Sequence, residues 1–326
     1  MVQWAESERR ALLGYTATPT LDRNLVTRFA LGEHELADAI LEPFRVRRFE
    51  RVWKDLVKLA EPALAIGVRE GKPSGRSKLG GLPDLPSRAD WPRRGQKPLA
   101  FIAQLDLEEV RGHLRDPLLP TAGLLSFFYE ADKWTSGDSP TDEGAWRVLL
   151  LNEPLSAQSP PAVSPPAVPE DYDPATWQFK EGSVTLIPRI SLPEAEHVLI
   201  DRLGAAAGGD DAYSAYGALM DELRQGHGLH GLTQLLGYPA EIQHDPFSTS
   251  QLAANGVDTL TLRDWKSDRV TGLLDSREPW RLLLQVDTVS EIGMEWADSG
   301  LLYYCIRDEH LRARAWANSW LIMESL

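Results

Sequence analysis

Short apolar runs bounded by Gly and Pro dominate the chain from residue 61 onward. Runs of this kind are typical of β-strands, and they predict strands at 63–68, 99–105, 123–129, 147–151, 183–187, 259–262, 281–286, 301–306 and 321–323. Two helices are predicted between them, at 193–203 and 211–225, and each ends at a glycine. Strands in series, rather than in strict alternation with helices, favour an α+β fold with mostly antiparallel β-sheets.

The first sixty residues have helical periodicity. Apolar side chains recur at helical spacing in 25–40 and again in 46–57, and Pro43 and Pro62 end the two runs. The second helix also carries a basic face, formed by Arg45, Arg47, Arg48, Arg51, Lys54 and Lys58. This face is either solvated or a docking site for an acidic partner surface. The sequence therefore predicts an N-terminal helical segment at 1–60, followed by the main domain at 61–326.

One motif occurs twice in the main domain, about 180 residues apart. Gln104-Leu-Asp106 and Gln285-Val-Asp287 each follow an apolar run, and each is followed by Gly-Leu-Leu and further aromatic residues. Two copies are too few for a solenoid, so we expect an internally duplicated fold with two pseudo-twofold-related halves. Its parts are repeat 1 at 61–152, a proline-rich connector at 153–174 and repeat 2 at 175–326.

Several motifs in a fixed order carry a family resemblance: 77–83, 91–92, 99–106, 123–128, 234–239, 242–243, 283–287 and 296–300. Together they resemble the YwqG-like family, a bacterial domain of unknown function. The resemblance implies an internally duplicated α+β fold and no established reaction. Some relatives look like neighbours or parts of bacterial toxin–immunity systems, which implies a protein that binds and neutralises another protein. Where relatives often have His before Gln-Leu-Leu-Gly-Tyr-Pro, this chain has Thr233.

Charge and composition narrow the classes of function. The 326 residues include 34 Lys and Arg against 48 Asp and Glu, for a net charge of −14. Such a charge disfavours nucleic-acid binding, which needs a positive surface, and permits a cationic partner. We expect a cytoplasmic protein with no membrane partner, because the chain has neither a signal peptide nor a long apolar segment. The single Cys305, inside an apolar run, fits a buried strand position in a reducing compartment.

The repeated motif supplies the first candidates for chemistry. Residues i and i+2 of a strand point the same way, so Gln104 and Asp106 share a face, as do Gln285 and Asp287. Two such pairs in a groove between the halves could form an acid–base or metal-binding carboxylate pair. The alternative is structural, because Asp106 precedes Leu107-Glu-Glu and would cap a helix. A duplicated unit would repeat that cap at Asp287.

The glycine-rich run around Arg76 and Lys78 departs from the spacing and sequence of a phosphate loop. It predicts either a modest anion site or a tight turn that needs positive φ at Gly80 or Gly81. His227 and His230 form the main histidine cluster but lack a zinc motif. No cofactor and no metal site are therefore predicted.

Loop aromatic and polar residues complete the candidates. Trp91 and Trp296 lie in predicted loops, where tryptophans either anchor an interface or cover the core. Asp298, Tyr238 and Gln243 belong to the family motifs and are candidate binding residues.

No complete catalytic motif accompanies these residues. The leading hypothesis is therefore a non-catalytic protein-binding module, an immunity- or antitoxin-type protein that binds a basic toxin domain through its acidic surface and loop tryptophans. The alternative is a small-molecule-binding protein or a hydrolase with its site in the groove between the repeats.

Overall fold

The computed structural model of the protein describes residues 56, 59–86, 90–152, 155–158, 178–195, 200, 210–225, 231–275 and 279–326. Several predictions fall on other parts of the chain. The N-terminal helical segment with its basic face, most of the proline-rich connector, most of the helix predicted at 193–203, and His227 and His230 lie outside the described residues.

The described residues are mostly β-structure. Their strands are β1 (Glu61–Glu70), β2 (Lys78–Leu79), β3 (Asp84–Pro86), β4 (Arg93–Arg94), β5 (Lys97–Pro98), β6 (Ala100–Asp106), β7 (Leu124–Tyr129), β8 (Trp146–Leu151), β9 (Leu155–Ala157), β10 (Gly182–Ser191), β11 (Gln234–Leu235), β12 (Trp280–Asp287), β13 (Leu301–Arg307) and β14 (Trp320–Glu324). Most of these match predicted strands, because apolar runs between turn residues mark buried strands reliably.

Ten strands form a single antiparallel sheet in the order β14-β13-β12-β11-β1-β10-β2-β6-β7-β8. The longest pairing joins β1 to β10 over ten residue pairs, from Glu61 opposite Ser191 to Glu70 opposite Gly182. The remaining described strands form two small two-stranded sheets, β3 with β9 and β4 with β5. The β1–β10 pair therefore joins the strands of both sequence repeats into one sheet.

The large sheet curls until its two edges face each other. Trp146 of β8 and Trp320 of β14 pack edge-to-face with ring centroids 4.9 Å apart. The Trp146 indole also donates to the carbonyl oxygen of Ser319 at 2.9 Å. Farther inside, Phe127 of β7 packs against Tyr304 of β13 at 5.0 Å. These contacts leave the sheet nearly closed around a shared core.

Helices cover parts of this sheet. They are α1 (Leu107–His113), α2 (Asp210–Gln225), α3 (Pro246–Ala253), α4 (Asp268–Asp275) and α5 (Asp308–Arg312), with 3₁₀ turns at Pro140–Asp142, Ser290–Ile292 and Trp316–Asn318. The helix predicted at 211–225 is confirmed by α2. Helix α3 begins where Asp245 caps it and Pro246 occupies its first turn.

None of the helices among the described residues combines enough length and apolar character to cross a membrane.

The core lies on both faces of strands β6 and β7. Every residue of β6 and β7 is buried, which explains why their sequences are continuously apolar rather than alternating. On one face Phe127 joins the main core. On the other face Phe101 and Phe128 pack with Leu85 and Leu99 in a smaller cluster. Cys305 is fully buried in the main core on β13, so the predicted buried strand position is confirmed, and this burial raises the pKa of its thiol well above the ordinary value.

The predicted α+β fold with two pseudo-twofold-related halves is wrong. The residues that the structure describes are mostly antiparallel β, with one large, nearly closed sheet and few helices among them. Two features produce this result: β1 and β10 pair along their full length at the centre, and the β8 and β14 edges meet. Strands from both repeats therefore share one sheet instead of forming two separate halves.

The strand predicted at 259–262 is also wrong. The alternation Thr-Leu-Thr-Leu mimics a half-buried strand, but these residues form turns. Leu260 is 70% exposed, so its apolar side chain contributes to the surface and not to the core.

Candidate functional site

Gln104 and Asp106 hold a neighbouring loop against β6. The Gln104 amide is fully buried, accepts the Asp84 N–H at 2.9 Å and donates to the Arg76 carbonyl at 2.7 Å. Asp106 accepts the Glu108 N–H at 2.9 Å and caps α1, so the predicted capping role is confirmed. Both side chains satisfy backbone groups that burial would otherwise leave without partners.

We expect the Asp106→Ala variant to lose about 1 kcal/mol of unfolding free energy, because α1 loses its N-terminal cap. Urea unfolding followed by circular dichroism measures this loss. Glu108→Ala is the matched control, since Glu108 is exposed in the first turn of the same helix and should cost only a few tenths of a kcal/mol (~0.3). Equal losses in the two variants would contradict the capping role.

Gln285 and Asp287 make a similar connection on β12. The buried Gln285 amide accepts the Ala240 N–H at 2.8 Å and donates to the Leu232 carbonyl at 2.6 Å. Asp287 accepts the N–H groups of Leu232 at 2.7 Å and Thr288 at 2.8 Å. Burial raises the pKa of Asp287, and these two N–H groups oppose that shift.

The predicted helix cap at Asp287 is wrong. The 3₁₀ turn that follows begins at Ser290, and Val289 occupies its capping position without a side-chain hydrogen bond. Asp287 therefore fixes the 231–232 loop to β12 instead of starting a helix.

The two Gln-x-Asp motifs do not form one carboxylate pair. Four strands, β11, β1, β10 and β2, separate β12 from β6 in the sheet. Gln104 and Gln285 share no hydrogen-bond partner among the described residues, and both are inaccessible to solvent. An external ligand would have to displace their loops to reach them, so the structure does not support a groove lined by these four residues.

Trp296 belongs to the core. It is fully buried, and its ring packs edge-on against Tyr129 at 5.9 Å and Phe179 at 5.6 Å. Trp91 is partly buried, donates to the Leu99 carbonyl at 2.8 Å and packs against Phe128. These tryptophans were predicted either to anchor an interface or to cover the core, and the structure favours the second role.

The candidate cations Arg76 and Lys78 have acidic neighbours. The Lys78 ammonium is almost entirely buried and lies 3.1 Å from the Glu181 carboxylate. Arg76 is half exposed, with its guanidinium 3.6 Å from Asp106. Gly80 and Gly81 both have positive φ, of 63° and 69°, so the predicted tight turn is confirmed.

Tyr238, Gln243 and Asp298 lie in loops of the second repeat. Tyr238 is partly buried, which raises its pKa to about 12. Gln243 is exposed and donates to the Ser325 carbonyl at 2.7 Å. Asp298 is exposed, and its backbone carbonyl accepts the Leu326 N–H at 3.1 Å. Gln243 and Asp298 therefore both lie beside the last residues of the chain and remain available to solvent.

A different part of the molecule has the features of a binding surface. We call it the loop surface, defined by residues 131–143 and 255–262. Trp134 is 49% exposed and Leu260 is 70% exposed. The two loops contain five Asp and Glu residues and one lysine. Exposed large apolar side chains, aromatic ones above all, with polar neighbours are typical of protein interaction sites.

Hydrogen bonds hold the two loops of this surface together. The Thr259 N–H donates to the Asp138 carbonyl at 3.0 Å, and the Thr259 hydroxyl donates to the Asp138 carboxylate at 2.9 Å. A hydrogen bond from Ser139 is the main cause that lowers the pKa of Asp258. The backbone of Ser136 accepts the Met323 N–H at 2.8 Å, which attaches the first loop to β14. The surface is therefore fixed to the sheet.

Neither of the two exposed large apolar residues of the loop surface was among the residues that the sequence pointed to. Trp134 lies in the polar run Asp-Lys-Trp-Thr-Ser-Gly-Asp, where an isolated large aromatic residue is the signal that could have found it. Leu260 lies in the segment 259–262, which the sequence pattern wrongly predicted to be a strand.

A mostly antiparallel β protein with an acidic, aromatic loop surface is the class that this fold and site define. The model of the family described as "Domain of unknown function (DUF1963)" matches residues 77–324, so the chain belongs to this family. A comparison with curated proteins found no match.

Proposed function

We propose that the protein is a non-catalytic binding module whose loop surface docks a basic protein domain. The observation that carries the proposal is the pairing of exposed Trp134 and Leu260 with acidic side chains on two loops joined by hydrogen bonds. Large apolar side chains supply buried area on association, and acidic ones steer a cationic partner into contact. The net charge of −14 acts in the same direction.

The finer form of the proposal is a cytoplasmic immunity- or antitoxin-type protein that neutralises a basic toxin domain. Its support is the YwqG-like resemblance of the motifs in 77–300, which itself remains a prediction, because some relatives look like parts of toxin–immunity systems. The absence of a complete catalytic motif from the sequence favours binding over turnover.

The test uses a basic toxin domain encoded beside the gene, titrated into the full-length protein by calorimetry. We expect saturable binding that weakens as salt is added, because salt screens the long-range attraction between an acidic protein and a cationic partner. Trp134→Ala and Leu260→Ala should each weaken binding by about 10-fold or more, as expected for central interface residues.

Matched controls lie elsewhere on the surface. Trp265→Ala removes a tryptophan that is 44% exposed and stacks on His244, and Leu82→Ala removes a leucine that is 39% exposed. Both should leave the affinity within about twofold of wild type. Undetectable binding, binding indifferent to salt, or equal losses in the controls would each overturn the proposal.

A further inference from the structure

A cavity of about 480 Å³ opens where the two edges of the large sheet meet. Its walls come from β8, β12, β13, β14 and α5, together with the residues that follow α3. Among the residues that line it are Asn255, Trp146, Trp280, Arg307, His310 and Trp320. The lining also includes a second arginine, Arg147, and one carboxylate, Glu143, so the space has flat apolar walls, cationic and hydrogen-bonding groups and a single acidic group.

The Arg307 guanidinium has unused hydrogen-bonding capacity at this wall. Its Cζ lies 5.1 Å from the centroid of the Trp280 ring, in cation–π geometry. One nitrogen donates to the Gln251 side chain at 3.1 Å, and another lies 3.8 Å from the half-exposed Glu309 carboxylate. Arginine has five N–H donors, and its Nε is buried without a hydrogen-bond partner in the part of the chain that the structure describes.

His310 stands three residues after Arg307, across the junction of β13 and α5, and also lines the cavity. Its Nδ1 is likewise buried with no hydrogen-bond partner within the described ranges. Its Nε2 lies 3.7 Å from Glu309. Two polar side chains with unsatisfied nitrogens therefore border the same space.

The tryptophans of the cavity have no free N–H group to offer. The indole N–H groups of Trp146, Trp280 and Trp320 donate to Ser319, Gln251 and Gly137 at 2.8–2.9 Å. These rings can therefore contribute only apolar and stacking contacts. Recognition of a polar ligand group therefore falls to the other polar side chains of the lining, and among those described Arg307 and His310 are the two with a buried nitrogen that lacks a partner.

We propose that this cavity binds a small planar organic oxyanion, a carboxylate or a phosphate monoester on a flat ring. The oxyanion would bind Arg307 and His310, because guanidinium groups match carboxylate and phosphate oxygens with paired hydrogen bonds. The flat body would lie against the tryptophan rings. Arg307 Nε and His310 Nδ1 are buried in this structure, so binding through these two nitrogens requires both side chains to rotate toward the ligand. The strongly acidic exterior disfavours polyanions, which restricts the site to small anions.

The test titrates the full-length protein with four probes: benzoate, phenyl phosphate, inorganic phosphate and neutral benzamide. Calorimetry gives the affinities, and the melting temperature gives a second readout, because a ligand of the folded state raises it. We expect benzoate or phenyl phosphate to bind at least about 10-fold more tightly than benzamide, since a charge-assisted hydrogen bond is replaced by a weaker neutral one. A preference between benzoate and phenyl phosphate identifies the oxyanion, and weaker binding of inorganic phosphate shows that the ring contributes.

Substitutions of residues that line the cavity test whether the probe binds there. Arg307→Gln should weaken binding of the preferred probe by at least about 10-fold, and His310→Gln should also weaken it. Arg312→Gln is the matched control, because it removes the same charge five residues further along the chain, at a side chain that is 59% exposed and paired with Asp308. Circular dichroism and the melting temperature without ligand verify folding, and His310→Gln decides the matter if Arg307→Gln does not fold. Failure of all four probes to bind, equal affinity for benzoate and benzamide, or an equal loss in Arg312→Gln would overturn the proposal.

Discussion

We expect the Trp296→Ala variant to lose about 3–5 kcal/mol of unfolding free energy, the usual range for removing a large aromatic side chain from a core. Trp296 is fully buried, and edge-to-face contacts join it to Tyr129 and Phe179. Its indole also donates to the Asp287 carbonyl at 3.2 Å. Alanine at this position leaves a cavity and an unpaired carbonyl. Urea unfolding followed by circular dichroism gives the loss from the shift in midpoint.

Trp91→Ala is the matched control for this prediction. Trp91 is only partly buried and makes an aromatic contact with Phe128 and a backbone hydrogen bond. Its removal should cost about 2 kcal/mol, clearly less than that of Trp296. If Trp296→Ala keeps wild-type stability but loses binding to the toxin domain, Trp296 is an interface anchor after all, and its core role is wrong.

The strands were the most predictable part of the fold. Runs such as 281–286 and 301–306 coincide with β12 and β13 to within one residue at each end. These segments are buried on both faces, and continuous burial leaves a continuous apolar run bounded by turn residues. The segment 259–262 instead alternates Thr and Leu, and it lies in a loop where Leu260 is 70% exposed and Leu262 is only partly buried. An apolar pattern therefore correlates with burial across many segments but does not establish it for any single one.

Strand pairing and closure of the sheet could not be predicted in the same way. The β1–β10 pair joins residues as far apart in sequence as Glu61 and Ser191, and Trp146 meets Ser319 across 173 positions. An apolar strand can pair with many others, and the register depends on long-range geometry that no local motif encodes. The repeated motifs suggested two separate halves, whereas the structure builds one curled sheet from both.

The candidate site was predictable only where the chemistry was local. Asp106 caps the helix that follows it, because a cap depends on a few neighbouring residues. The partners of Gln104 and Gln285 lie 20 to 53 residues away, so the sequence could not separate a buried structural amide from a ligand-binding one. Arg307 lies opposite Trp280 in the β12–β13 pair, but Trp146 of β8 reaches this group only because the sheet edges come together, and no motif marked Arg307 or His310.

The Gly137→Ala variant should lose about 3 kcal/mol or more of unfolding free energy. Gly137 has a φ of 80°, a conformation that costs other residues about 1–3 kcal/mol, and a Cβ there would overlap the Leu321 carbonyl oxygen of β14. Relief of such an overlap moves the backbone and adds about 1–3 kcal/mol. Gly137 also accepts the Trp320 indole N–H at 2.8 Å, so the loop surface would shift relative to β14.

The Gly144→Ala variant separates the strain of a positive φ from the overlap with neighbouring atoms as causes of the lost stability. Gly144 also has a positive φ, of 91°, but no atom of the described residues lies within 4 Å of the point that an alanine Cβ would occupy. Its substitution should therefore cost only the conformational strain, about 1–2 kcal/mol. Urea unfolding of both variants measures the difference, and titration with the toxin domain should show weaker binding for Gly137→Ala alone, since only that substitution displaces the loop that carries Trp134. Equal destabilisation of the two variants would mean that the loop does not pack against β14 as closely as the structure places it.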